Sequence, residues 1–121
     1  VAPDEVDWIV AHGTSTSLND STETRAIKLA YGSAAATRAI SSPKSMIGHL
    51  VGAAGIASAL AALGGIRDGV IAPTANLHTP DPECDLDYVP NVARSMAVNI
   101  AMTTSVGLGG HNSAVIFKKV Q

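Results

Sequence analysis

His12, Lys44 and His49 are spaced along the chain as one chemical set. His12 opens the run His12-Gly13-Thr14-Ser15-Thr16, with Asn19, Asp20 and Glu23 following, and Lys44 opens Lys44-Ser45-Met46-Ile47-Gly48-His49. His49 is expected at the start of an apolar helix, where desolvation and the positive end of the helix dipole both disfavour an imidazolium. A neutral imidazole donates one hydrogen bond to a carbonyl oxygen on which negative charge develops, and one well-placed donor contributes about 3 kcal/mol to a barrier. Two converging histidines would form a pocket for an enolate. Thr14 and Thr16 lie on a turn that can present both hydroxyls.

Other chemistries fit less well. The intervals between His12, His49, His78 and His111 match none of the short zinc-ligand spacings, so no metal is expected. A second Gly-rich turn, Gly107-Leu108-Gly109-Gly110-His111-Asn112, fails the dinucleotide fingerprint: Asn112 stands where the third glycine should be, and the turn joins two strands. No Gly-x-Ser-x-Gly nucleophile elbow occurs. Cys84, between Glu83 and Asp85, is read as an inert cysteine.

These residues need elements to hold them. Residues 7–11 read as a short apolar strand ending at His12, a place where open α/β sheets position functional groups. Asn19 or Asp20 is expected to cap a helix running through Glu23, Ile27 and Tyr31, with Gly32 stopping it. Residues 39–42 form a second strand leading through Pro43 to Lys44. A long Ala/Gly/Leu helix is expected from about 48 or 49 to 67, closed by Gly69. An extended stretch at 70–73 and a Pro- and Asp-rich loop at 76–90 follow. Two strands, at 97–103 and 113–119, flank the Gly-rich turn. This order defines an α/β domain.

The 121 residues fit one domain with a core. With 8 basic against 10 acidic residues and no basic cluster interleaved with aromatics, nucleic acid is not an expected partner. A single cysteine forms no internal disulfide, and no leader pattern opens the chain, so a cytoplasmic setting is expected. Residues 45–66 carry no Asp, Glu, Lys or Arg. Their richness in Gly, Ala, Ser and His argues for a buried central helix rather than a membrane span. Gly48, Gly52 and Gly55 are expected to permit close packing there.

Across nearly its whole length the chain resembles the C-terminal half of a β-ketoacyl-acyl-carrier-protein synthase of the elongating type. The resemblance rests on the His-Gly-Thr-Ser-Thr run, the Lys44 to His49 motif, Pro73-Thr74-x-Asn76-Leu77, Cys84-Asp85-Leu86-Asp87-Tyr88-Val89-Pro90 and the Gly107 turn. It implies a thiolase-like half-domain over residues 1–121, a fragment of a longer subunit, with a mixed sheet of about five strands and helices on both faces. It also implies that His12 and His49 bind a malonyl thioester carbonyl and support loss of CO2. Lys44 would order the site with the acids Asp20 and Glu23, and Thr14 and Thr16 would bind a phosphopantetheine arm. The Leu108 amide, after Gly107, would supply half an oxyanion hole and its side chain a gate. The cysteine nucleophile would lie in the missing N-terminal half. No cofactor is implied, since phosphopantetheine arrives on the acyl carrier protein. The implied partners are that carrier, acyl and malonyl thioesters, the N-terminal half and a second copy in a homodimer.

Family members usually carry Asn-Ser-Phe-Gly-Phe-Gly-Gly where this chain has Thr104-Ser105-Val106-Gly107-Leu108-Gly109-Gly110. Both aromatics are aliphatic here, which bears on acyl-chain preference. A polyketide ketosynthase fragment and a non-catalytic chain-length-factor-like partner are the alternative readings. The intact histidines weigh against the second of these.

Overall fold

Trp8, Ile9 and Val10 form a strand with no exposed side chain, as a strand covered on both faces requires. A computed structural model describes residues 1–120 and places this strand, β1 (Trp8–Val10), inside a four-stranded mixed sheet. Two parallel neighbours flank it, β2 (Ala39–Ser41) and β5 (Ile100–Gly107), with Val10 paired to Ser41 on one side and Thr103 on the other. Strand β6 (His111–Lys118) pairs antiparallel with β5 and forms one edge. At the other edge, the Ile40 amide donates to the Asp87 carbonyl at 2.8 Å, so the 76–90 loop covers β2.

Alternation along β1 divides the core in two. Ile9 points to the face covered by α1 (Asn19–Tyr31), where it clusters with Ile27, Tyr31 and Ile40. Trp8 and Val10 point to the opposite face with Ala62, Ile71 and Ala101, under α3 (Ala54–Asp68). Helices therefore lie on both faces, as expected. Gly32, at φ 54°, ends α1, and Gly69, at φ 64°, ends α3. The strand count differs from the expected five. The extended stretch after α3 forms β3 (Val70–Ile71), which pairs with β4 (Arg94–Ser95) as a separate two-stranded ribbon instead of joining the main sheet.

The 45–66 segment also departs from expectation. It begins as the single-turn α2 (Lys44–Ile47), breaks at Gly48 with φ 76°, passes through a 3-10 turn at Val51–Ala53, and only then becomes α3. One side of α3 is buried, through Ser58, Ala62 and Gly65, while Ile56, Leu60 and Leu63 face outward, because this chain supplies a sheet on one side only. Nor are Gly48 and Gly52 sites of close packing, since a Cβ on either meets nothing within 4 Å, and at Gly55 the nearest atom is Ser105 Oγ at 4.0 Å. The tight approach is at Gly65, where a Cβ would lie 2.5 Å from Cζ3 of Trp8. Among the described residues, no helix is long and apolar enough to cross a membrane.

Candidate active site

Where β1 ends, the chain leaves the backbone ladder and side chains take over. The His12 amide donates to Glu23 Oε1 at 2.8 Å and to Thr104 Oγ1 at 3.0 Å, and the Gly13 amide donates to Glu23 Oε2 at 2.9 Å. The Thr104 hydroxyl donates to Glu23 Oε1 at 2.7 Å, and Asn19 Nδ2 donates to Oε2 at 3.3 Å. One carboxylate on α1 thus gathers four donors from three elements. Gly13 is required at its position: φ is 40°, and a Cβ would lie 2.6 Å from Cβ of Ser42.

Lys44 comes from the other side, on the first residue of α2. Its ammonium donates to the His12 carbonyl at 2.5 Å. The backbone of His12 is therefore held at both its N-H and its C=O. Burial lowers the Lys44 pKa, with the Glu23 carboxylate opposing the shift. The His12 ring is 7 % exposed, and its pKa is lowered first by burial and then by the Lys44 cation, against the opposing pull of Glu23.

His49 meets His12 edge to face, with ring centroids 5.8 Å apart and planes at 86°. It does not open the long helix as expected; it lies in the irregular stretch after α2, exposed, and the helix dipole argument does not apply to it. Its orientation has another source. Val51, at φ 49°, turns its amide back to donate to His49 Nδ1 at 3.0 Å. A positive φ is strained for a β-branched residue. An occupied Nδ1 leaves the proton of a neutral ring on Nε2.

Thr14, Thr16, Lys44 and His49 line an open cavity of about 940 Å³, closed on its far side by Asn76, Cys84 and Tyr88 of the 76–90 loop. The Thr14 and Thr16 hydroxyls lie 2.9 Å apart, and Ser15 between them has φ 57°. Asp20 accepts from the Ser15 amide at 3.1 Å, shaping this turn. Neither Asn19 nor Asp20 caps α1, contrary to expectation: Leu18 is the capping residue, without a side-chain bond, because both side chains are engaged in the site. Tyr88 seats the loop against α1 through a hydroxyl contact with Thr24, and burial pushes its phenol up to about 12.

Gly107 and Leu108 stand apart from this set. They lie at the far end of β5, about 10 Å along the strand from Thr104, and neither is among the residues lining the cavity. Leu108 is fully exposed at the hairpin tip. Cys84 is half-buried in the loop with its thiol free. Among the described residues, no three His, Cys, Asp or Glu side chains gather as a metal site. Thr104, noted in the sequence only as standing where the family has Asn, is a site residue to which sequence reasoning gave no role. The β1–β5 register reveals that role, because it sets Val10 against Thr103 and brings Thr104 beside the departing chain.

A mixed sheet with helices on both faces is the architecture shared with the thiolase-like ketosynthases that superpose on this chain. Residues 1–78 match the family described as "Beta-ketoacyl synthase, C-terminal domain", and the chain belongs to that family. A relative from Synechocystis sp., "3-oxoacyl-[acyl-carrier-protein] synthase 2", is 53% identical over 119 residues, 98% of this chain and 29% of the relative. One of the same description from Staphylococcus aureus is 47% identical over 121 residues, 100% of this chain and 29% of the relative. The chain thus spans less than a third of the length of these relatives. Among solved structures, "The ishigamide ketosynthase/chain length factor" superposes with a TM-score of 0.96 at 40% identity, covering 100% of this chain and 30% of that one. A type II polyketide acyl-carrier protein in complex with its hexaketide-bound ketosynthase does so at 0.90 and 37% identity, with 100% and 30% covered.

Proposed function

We propose that residues 1–121 are the C-terminal domain of a longer condensing enzyme and carry the half of its active site that decarboxylates a malonyl thioester. The observation that carries this reading is the histidine pair, two rings edge to face at 5.8 Å, one desolvated and one with its Nε2 free to donate. A malonyl thioester carbonyl oxygen accepts hydrogen bonds from His12 and His49. The bond between the α-carbon and the carboxylate breaks, CO2 leaves, and the electron pair becomes a thioester enolate whose charge rests on that oxygen. Two fixed donors in a partly dry site stabilise this charge more strongly than water does. The enolate carbon then attacks an acyl thioester formed on a cysteine of the upstream half, and the cysteine thiolate departs.

Lys44, Glu23 and Asp20 hold the backbone that carries His12 and the Thr14 to Thr16 turn. Thr14 and Thr16 receive the phosphopantetheine arm of an acyl carrier protein, which brings the substrate, so the enzyme needs no cofactor of its own. The Leu108 amide completes the acyl-side oxyanion hole when the upstream half is in place. The relatives' descriptions support an acyl chain borne on an acyl carrier protein, read here as a fatty-acid chain in a cytoplasmic homodimer; the ketosynthase bound to a hexaketide supports a polyketide chain as the second reading.

The test is His49→Ala in the full-length protein, measuring CO2 release from malonyl-carrier protein. We expect a loss of at least about 100-fold, one donor's worth of transition-state stabilisation, with thermal unfolding little changed. Unimpaired decarboxylation in that variant would remove His49 from the mechanism.

A further inference from the structure

We propose that Thr104 is a positioning residue that keeps the malonyl pocket and the acyl-side turn in register; the proposal rests on the condensing-enzyme reading above. Backbone pairing between β1 and β5 ends at Val10 and Thr103. Beyond that point the two chains diverge. The β1 chain turns into His12 and Gly13, while β5 continues to Gly107 and the exposed turn at Leu108.

Across this divergence the Thr104 side chain makes the connection. Its hydroxyl accepts from the His12 amide at 3.0 Å and donates to Glu23 Oε1 at 2.7 Å, spanning 92 and 81 residues of sequence. The hydroxyl does both at once because it carries one donor and two acceptor sites, which a valine or alanine side chain lacks. Ser105, next along β5, faces the other side of the strand and cannot substitute for it. His12 and Glu23 are also tied to each other and to Gly13 directly. Loss of the Thr104 hydroxyl therefore leaves the histidine loop attached to α1 and loosens it from β5.

That asymmetry gives a specific signature. Decarboxylation of a malonyl thioester without an acyl donor uses the histidine pair alone. Condensation also needs the enolate carbon aligned with an acyl carbonyl held at the hairpin turn, and misalignment by about 1 Å costs about 100-fold in the extreme. The full-length enzyme carrying Thr104→Val, the near-isosteric change, is compared with wild type and with Thr104→Ser. Thr104→Ala serves as a second hydroxyl-free variant where valine gives insoluble protein.

We expect Thr104→Val to lower kcat for condensation about tenfold while donor-free decarboxylation falls less than about threefold, with Thr104→Ser restoring the wild-type ratio. An equal fall in both rates would assign Thr104 a merely structural role and overturn the proposal, as would wild-type condensation in the valine or alanine variant. A wild-type enzyme that fails to decarboxylate malonyl-carrier protein would instead overturn the function itself.

Discussion

Glu23→Gln is the sharpest test of how the site is held. The two carboxylate oxygens are both acceptors of backbone N-H groups, His12 at Oε1 and Gly13 at Oε2, with the Thr104 hydroxyl and Asn19 Nδ2 adding a second donor to each. A glutamine has one oxygen and one NH2, so in either orientation it turns a donor toward a backbone donor. In one orientation the Gly13 N-H loses its partner, and in the other the His12 N-H keeps only Thr104 Oγ1; a lost partner costs about 1–3 kcal/mol, and the remaining bonds lose their charge assistance. Taking about 2–3 kcal/mol as the cost to the aligned site, kcat for malonyl decarboxylation falls about 30- to 100-fold.

The pH profile gives an independent readout. Glu23 opposes the depression of the His12 pKa, so neutralising it moves that pKa further down. His12 donates as the neutral ring, and activity is lost as pH falls through its folded value; a lower value moves this acid limb to lower pH. The assay is CO2 release from malonyl-carrier protein by the full-length enzyme between pH 5 and 8, with thermal unfolding in parallel. A variant with wild-type kcat and an unmoved acid limb would refute both the hydrogen-bond accounting and the electrostatic role of Glu23.

Lys44→Met should act in the opposite electrostatic sense. It removes the cation that lowers the His12 pKa, so the acid limb moves to higher pH, and an unchanged limb would deny that coupling. Gly65→Ala tests the fold beneath the site. Its Cβ would meet Cζ3 and Cε3 of Trp8 at 2.5 and 2.9 Å, and Trp8 is fully buried with its indole N-H bonded to Ser41. Overpacking of this kind costs about 1–3 kcal/mol, more than alanine's gain in helix propensity. The melting temperature should therefore fall; a rise or no change would mean that Trp8 yields.

Much of the site was legible because its chemistry sits in short runs. His12, Lys44, His49 and Glu23 lie near element ends that apolar patterning and glycine mark well, and the structure brings all four together. The helix start at 48 or 49 was misread because uncharged composition does not reveal the two conformational breaks, at Gly48 and Val51, that divide the segment. Val51 was invisible for a related reason, as its part is played by an amide in an unusual conformation and not by its side chain. The close-packing glycine was also missed, because its partner, Trp8, is 57 positions away in sequence (65 − 8) and only tertiary structure brings the two into contact. Register information of the same kind hid the role of Thr104.

The parallel pairing of β1 with β5 also carries a kinetic consequence. Trp8 finds Ala101, and His12 finds Thr104, only after nearly the whole chain has been made. Contacts of such wide sequence separation are favoured late, because loop-closure entropy must be met before they form. The β1–α1–β2 portion can assemble first, with Glu23 already holding His12 and Gly13, and docking of the β5–β6 hairpin then completes the site. Alignment of the histidine loop is therefore among the last features the domain acquires as it folds, and a partly made chain would hold His12 on α1 without the strand that aligns it.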